Sequence, residues 1–299
     1  MDNLFEQKLL NLNSRYQKAK RNSIKRKGKL RHYLLNLKDF KIAEIFEDLK
    51  YGHICRSSFR TSGNRIKSIS KPNNISNSRI AVYTCIIGKY DSLLEPIQVE
   101  PGVDYFVFCD FNIPKDSIWK KIDVTGFKEY KEYSKIQLNR KIKMLPYDYL
   151  SEYEYTVYVD GNIEIVTGIR SMISNMGGYG LGIHYHKERD CIYDEAIAIR
   201  HYKKADMKLV NSQLQEYRSA GMPVHFGLFE NSILVRNHHC EIIRSLMQNW
   251  WAEYLKYPTR DQLSLPFLVW NYKIPETYIF ILGYSINDNP RFNRDIYHI

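Results

Sequence analysis

The 299-residue sequence predicts an α/β protein, one domain on a mainly parallel, helix-covered mixed sheet, preceded by a basic helical arm. Three observations carry that expectation. Short apolar runs of strand type alternate with amphipathic segments of about 10–15 residues, the pattern of βα units whose strands lie parallel. Hydrophobic residues make up 44% of the chain, which supplies a sizeable core and excludes global disorder. The charge is lopsided: residues 1–72 hold 18 Lys and Arg against 6 Asp and Glu, a net +12, whereas the other 227 residues sum to −1. The positive balance therefore belongs to an appendage and says nothing about the chemistry of the body.

Residues 3–50 read as helix. Leu4, Leu9, Leu10 and Leu12 precede a run from Arg15 to Arg31 with nine basic residues and no acidic one. A second segment then places Leu34, Leu35, Phe40, Ile42, Ile45 and Phe46 at mostly three- and four-residue steps. Residues 56–78, rich in Ser, Asn, Lys and Arg, read as a linker. The expected organisation is thus an arm over 1–55, a linker over 56–78 and a domain over 79–299.

In the body, residues 79–87 and 104–110 are apolar runs of strand type, and 135–150 has helical spacing stopped at Pro146. Residues 155–166 read as one strand alternating around an Asp-Gly-Asn centre, and 180–186 as the next. Helices follow over 191–205 and 209–221, the latter stopped by Gly221. A strand over 226–236, a helix over 240–257 and a last helix opening at 260 complete the series. In such sheets ligands sit beyond the carboxyl ends of the strands.

The five cysteines form no C-x-x-C pair, which argues for reduced thiols and against a disulfide framework or zinc ribbon. No run of 18 apolar residues and no signal-peptide pattern is present, so the expectation is a cytoplasmic protein, peripheral to the inner face of a membrane through its arm. The 24 tyrosines fit either a cleft for polar ring-shaped ligands or a compositional habit.

The strongest local signal is Asp160-Gly161-Asn162 after an apolar strand. Oxygen donors two apart on a strand end face the same way, and a glycine between them lets phosphates approach the backbone. A hard divalent cation, Mn²⁺ or Mg²⁺, held by Asp160 and Asn162 would then neutralise a diphosphate. An ordinary strand-to-turn junction explains the same residues without ligands. Thr84 and Asp110 lie on or at the ends of the two earlier strands, where an acid can hold a ribose or base, although acids there also cap helices. Arg140 and Lys141 lie on the helix leading to Asp160 and could face the diphosphate, or form a solvated basic face with Lys135 and Lys143. His184, His186 and Arg189 crowd a strand-to-helix crossing where substrate lining and helix capping are both open. No partner at zinc spacing follows them. Arg260-Asp261-Gln262 opens the last helix; Asp261 suits a carboxylate near a reacting carbon, or a first-turn acid on the helix dipole.

Taken in order, AVYTCIIGKYDSLLEP (81–96), YFVFCD (105–110), YEYTVYVDGNIEI (153–165), HKERDCIYDEA (186–196), GLFENSILVR (227–236) and RDQLSLPF (260–267) resemble a family of glycosyltransferase-like proteins. That family was long catalogued as a domain of unknown function; its plant members are described as hexosyltransferases linked to mucilage and turgor. The chain is similar, more distantly, to family 8 glycosyltransferases. The resemblance spans roughly 79–272. It implies a GT-A (Rossmann-like) fold, a nucleoside-diphosphate-sugar donor (a UDP-sugar for preference), a glycan or lipid-linked acceptor, and Mn²⁺ or Mg²⁺. By that resemblance Asp160, Gly161 and Asn162 match the D-x-D-type metal motif, with Asn162 in place of the second acid. By the resemblance, Asp110 also falls to the donor and Asp261 and Gln262 to the acidic element near the acceptor, Asp261 as the catalytic carboxylate; the reading of the residues themselves adds Thr84, Arg140 and Lys141 to the donor and His184, His186 and Arg189 to the substrate lining. A family 8 third ligand is missing, with His298 as a candidate. A nucleotidyltransferase on the same fold is the alternative enzyme class, but the loop IIGKYD is short and Gly-poor for one. The basic arm lacks a nucleic-acid module; an anionic membrane surface is its expected partner, and nucleic acid is not expected.

Overall fold

The computed structural model describes residues 4–20 and 69–294. In chain order the elements are α1 (residues 4–20), β1 (Ile80–Ile86), β2 (Val103–Cys109), β3 (Lys120–Asp123), α2 (Glu129–Glu132), α3 (Lys135–Met144) and β4 (Tyr155–Val159). Then come β5 (Ile163–Ile165), α4 (Arg170–Met176), β6 (Leu181–Tyr185), α5 (Ile192–His201), α6 (Met207–Ser219) and β7 (Phe229–Asn237). The last are α7 (Glu241–Lys256), α8 (Asp261–Asn271), β8 (Ile279–Gly283) and β9 (Phe292–Arg294).

Seven strands form one sheet in the order β3-β2-β1-β4-β7-β6-β8, and β5 pairs with β9 in a small second sheet. Within the large sheet only β7 runs against its neighbours, β4 and β6; the other pairings are parallel. The α/β expectation therefore holds, with a mainly parallel mixed sheet and an N-terminal helix. The strand order reverses beside β1, which has β2 on one side and β4 on the other. A crevice at the carboxyl ends of these strands is where a ligand fits in such sheets.

Both faces of the sheet are covered, which is why β1 reads as a continuous apolar run rather than an alternating one. Ala81, Tyr83 and Cys85 point into one core with Leu138, Ile142, Trp250 and Leu265 of the covering helices. Ile80 and Val82 point into the other with Met172, Ile173 and Phe292. Helix α3 starts at a Ser134–Gln137 capping box and ends before Pro146. Gly221, at φ +93°, follows α6 as the expected stop. Tyr83, Tyr105, Tyr158, Tyr217 and Tyr254 are among the largest wholly buried side chains, so much of the tyrosine content builds the core rather than a cleft.

Three local expectations change. The run 155–166 is two strands, β4 and β5, broken by a turn at 160–162 in which the Ile163 N–H bonds the Asp160 carbonyl at 3.0 Å. The latter part of the expected linker packs on the body: Asn73 N–H donates to the Ser174 carbonyl at 3.0 Å and Arg170 to the Ile75 carbonyl at 2.6 Å. Strands β3, β8 and β9 and helices α2 and α4 have no counterpart among the sequence expectations. The first is a half-exposed KKID and the third has three residues, so neither shows an apolar period. Helix α1 docks through polar residues: Asn13 donates to the Pro290 carbonyl at 2.8 Å, Gln17 to that of Phe292, and Glu6 pairs with Arg291 at 2.6 Å. Residues 21–68, with most of the basic run, the second helical segment and Cys55, lie outside the described residues, as does His298. The other four cysteines are free.

Candidate active site at the strand ends

Asp160 leaves β4 directly, and its N–H bonds the Ser232 carbonyl of β7 at 2.9 Å, which fixes where the turn begins. Glycine at 161 is a matter of space: a Cβ there would lie 2.9 Å from both Asp91 Oδ2 and Ile86 Cγ1. The tight turn brings the Asp160–Asn162 backbone against the end of β1 and the carboxylate of Asp91. The two-apart strand argument for Asp160 and Asn162 therefore does not apply; a turn, not a pleat, presents them. Asp110 stands just past β2. It accepts from Gly88 N–H at 2.8 Å and Tyr130 Oη at 3.1 Å, with Lys135 Nζ 3.7 Å away. Burial works against its charge, but these partners prevail and hold its carboxyl below the usual range. Thr84, buried in β1, has no hydrogen-bond partner for its hydroxyl among the described residues.

Helix α3 supplies cations on one face. Arg140 and Lys143, three apart, share that face, while Lys141 turns away to pair with Glu129 at 2.8 Å. Lys143 is only 2% exposed. Its Nζ lies 2.9 Å from Asp261 Oδ2 and 3.4 Å from Asp160 Oδ1, and it sits 5.0 Å from the centre of the Tyr158 ring. Tyr158 Oη donates to the same Asp160 oxygen at 2.9 Å, and Arg140 Nε is 3.8 Å from Asp261 Oδ2. Two carboxylates and two cations thus share one network, with Lys143 and Asp261 buried and Arg140 and Asp160 at its part-exposed rim. For Asp261, burial opposes the charge, yet Lys143, then Arg140 and Arg260, outweigh it and hold the carboxyl far below its ordinary value. Asp261 is the first residue of α8, and Arg260, not Asp261, occupies the cap position without a side-chain cap bond. Asp261 is thus a first-turn acid on the helix dipole, as one of the two sequence readings has it, and its Oδ2 also faces the Lys143 ammonium.

Lys143 was passed over in the sequence as part of a solvated face, and its neighbour Lys141 was preferred. The face is decided by α3 lying against the sheet. Arg236, wholly buried in β7, donates to Tyr83 Oη at 2.8 Å and to the Lys143 carbonyl at 2.5 Å, fastening the end of α3 over β1. Asn231, two residues past the start of β7, is a second omission: it is 2% exposed, and neither amide atom has a partner among the described residues. No sequence signal marked it.

The β6 edge gathers the remaining candidates. His184 is wholly buried and accepts from Asn289 Nδ2 at 3.0 Å, so any role at an acceptor would be indirect. Burial lowers its pKa to about 3. His186 is likewise lowered to about 3, by burial first and then by Arg189, whose guanidinium is 3.2 Å from its Nε2. Arg189 is tied to Glu195 at 2.6 Å, while Glu230 pairs with Arg294 at 2.6 Å. Gln262 reaches the Phe229 carbonyl at 3.5 Å and so bridges α8 to β7 beside this edge.

The donor set at the turn, one carboxylate and one amide, fits a hard cation whose shell is completed by substrate phosphates, as Mg²⁺-class sites often are.

The family described as TOD1/MUCI70, glycosyltransferase-like domain, matches residues 38–282. No curated protein matches the chain. Among solved structures the chain is similar to mouse xyloside xylosyltransferase 1 in its apo form. The two are 12% identical with a TM-score of 0.40, over 68% of this chain and 84% of that one.

Proposed function

The chain belongs to the TOD1/MUCI70 glycosyltransferase-like family, and we propose that it transfers a hexose from a nucleoside-diphosphate sugar, a UDP-sugar for preference, to a glycan or lipid-linked acceptor. The observation that carries this reading is the Arg140–Lys143–Asp160–Asp261 network at the strand ends.

A leaving nucleoside diphosphate gains negative charge as the sugar departs. Arg140 could meet such charge as a fixed cation, which needs no reorganisation during reaction, while the buried Lys143 would hold Asp160 and Asp261 in place. Asp160 and Asn162 would hold Mn²⁺ or Mg²⁺, which when bound adds Lewis-acid neutralisation of the same diphosphate. Asp110, just past β2, suits the ribose or base, whereas Thr84, buried inside β1, could serve the donor only indirectly. Asp261, kept ionised by its cations, is a poor proton acceptor; its charge is better matched to steadying positive charge on the sugar ring. His186, Gln262 and the unpartnered Asn231 amide suit sugar hydroxyls of donor or acceptor. The basic arm suits an anionic membrane surface, which would put the enzyme at the inner face of a membrane beside lipid-linked acceptors. No helix among the described residues is long and apolar enough to cross a membrane.

The test is a thermal-shift series with UDP and GDP, in Mn²⁺ or in EDTA. Nucleotide should stabilise wild type more with Mn²⁺, by mass action, and Asp160→Ala should remove that increment. Absence of stabilisation by any nucleoside diphosphate or nucleotide sugar would overturn the reading.

A further inference from the structure

A second group of side chains stands together that sugar transfer, as derived above, does not use. One potential ligand atom from each of Cys191, Asp194 and His225 lies within 4.8 Å of the others. Helical geometry explains two of them, since Cys191 caps α5 and Asp194 is in its first turn. His225 enters from the connection between α6 and β7. That connection is fastened to the start of α5 at both ends: Tyr193 Oη donates to the Met222 carbonyl at 3.0 Å, and Gly227 N–H to the Asp190 carbonyl at 2.8 Å. His225 holds φ +56°, a conformation that is costly for a non-glycine residue and persists only where the surroundings impose it.

The chemistry of the three groups is specific. A sulfur, an imidazole nitrogen and a carboxylate oxygen suit zinc-class ions, not the Mg²⁺ or Ca²⁺ class served by oxygen alone. Asp190 Oδ1 lies 2.8 Å from His225 Nδ1, so a metal on this ring would bind through Nε2. A carboxylate behind a ligating imidazole is the usual second partner in zinc sites, where it fixes the tautomer and raises the basicity of the ligand. We propose that Cys191, Asp194 and His225 hold a zinc-class divalent cation, oriented by Asp190, with a fourth position left for a water or substrate oxygen. A tetrahedral site with metal–ligand bonds of about 2.0–2.3 Å places its ligand atoms about 3.3–3.8 Å apart, within the observed span.

The helix N-terminus opposes a cation here. Against that stand Asp190, Asp194 and a thiolate, three negative charges for two positive. Each Cys–SH that binds M²⁺ becomes Cys–S–M⁺ and releases one H⁺, which makes occupancy rise with pH. The bound ion would pin the 222–227 connection to the start of α5, next to His186 and Arg189, independently of the all-oxygen donor set at Asp160.

Full-length protein stripped with chelator and titrated with Co²⁺ tests this. Expected is one tight equivalent showing a thiolate-to-cobalt charge-transfer band, competed away by Zn²⁺ and raising the Tm. Cys240→Ser should keep the band and Cys191→Ser should lose it. Asp190→Asn, which leaves all three ligands in place, should weaken affinity about 10–100-fold and serves if Cys191→Ser does not fold. No band at one equivalent in wild type, a band that survives Cys191→Ser, or an Asp190→Asn affinity equal to wild type would each overturn the proposal.

Discussion

Replacing Asp261 by Asn tests the central network. The substitution keeps volume and a hydrogen-bond acceptor but removes the charge that Lys143 Nζ meets at 2.9 Å and Arg140 Nε at 3.8 Å. Lys143 is 2% exposed, so water cannot take over from the lost partner. Breaking a buried pair costs about 3–5 kcal/mol. Asp160, at 3.4 Å from the same nitrogen, and the Asn oxygen retain part of the compensation, so roughly 2–3 kcal/mol is expected. Urea denaturation at pH 7 measures it. The double variant Lys143→Met with Asp261→Asn should be less destabilised than the sum of the singles, with a coupling of about 1–3 kcal/mol. The sign with pH follows from the lowered Asp261 pKa. The contribution is present in full above the unfolded carboxyl range near pH ~4 and is lost only as pH falls towards the lower folded value. At a temperature where the variant is folded, UDP should bind as tightly as to wild type or tighter, because Arg140 is released. Transfer should fall about a hundredfold or more if the charge steadies the reacting ring. A stability within about 0.5 kcal/mol of wild type, with additive singles, would refute the buried network. A normal transfer rate would remove Asp261 from the chemistry.

Two further outcomes follow from the same structure. His184 and His186, both lowered to about 3 in the fold, take up protons in the unfolded chain near its ordinary pKa of about 6.5. Stability should therefore rise with pH between those values, and urea midpoints should fall from pH 7 to pH 5. His184→Asn should flatten that slope, and an unchanged slope would show the ring is not buried neutral. For the arm, full-length protein should sediment with vesicles containing anionic phospholipid and not with neutral ones, an attraction of about 1 kcal/mol per basic residue near the surface. Binding insensitive to 0.5 M salt, or equal on neutral vesicles, would dispose of an electrostatic membrane role.

What the sequence determined by itself is what neighbours along the chain decide. Apolar period placed β1, β2, β4, β6 and β7 and the helices α3 and α5–α8, because burial on one or both faces writes a period of two, of 3.6, or a continuous run. The capping box, Pro146 and Gly221 marked ends through backbone chemistry that is also local. Strand-end position was enough to single out Asp110 and Asp160, and the opening of the last helix marked Asp261. Tertiary structure decided which of these meet, and through what. Lys143 and Asp261 are far apart in the chain, and nothing in their own segments distinguishes Lys143 from Lys141; only α3 lying over the sheet buries one and leaves the other with Glu129. The need for glycine at the turn between β4 and β5 comes from Asp91 and Ile86, which leave no room for a Cβ at 161. The unpartnered Asn231 and the gathering of Cys191, Asp194 and His225 were settled in the same way. Burial and charge pairing act through space, so their strength depends on distances that chain order does not record.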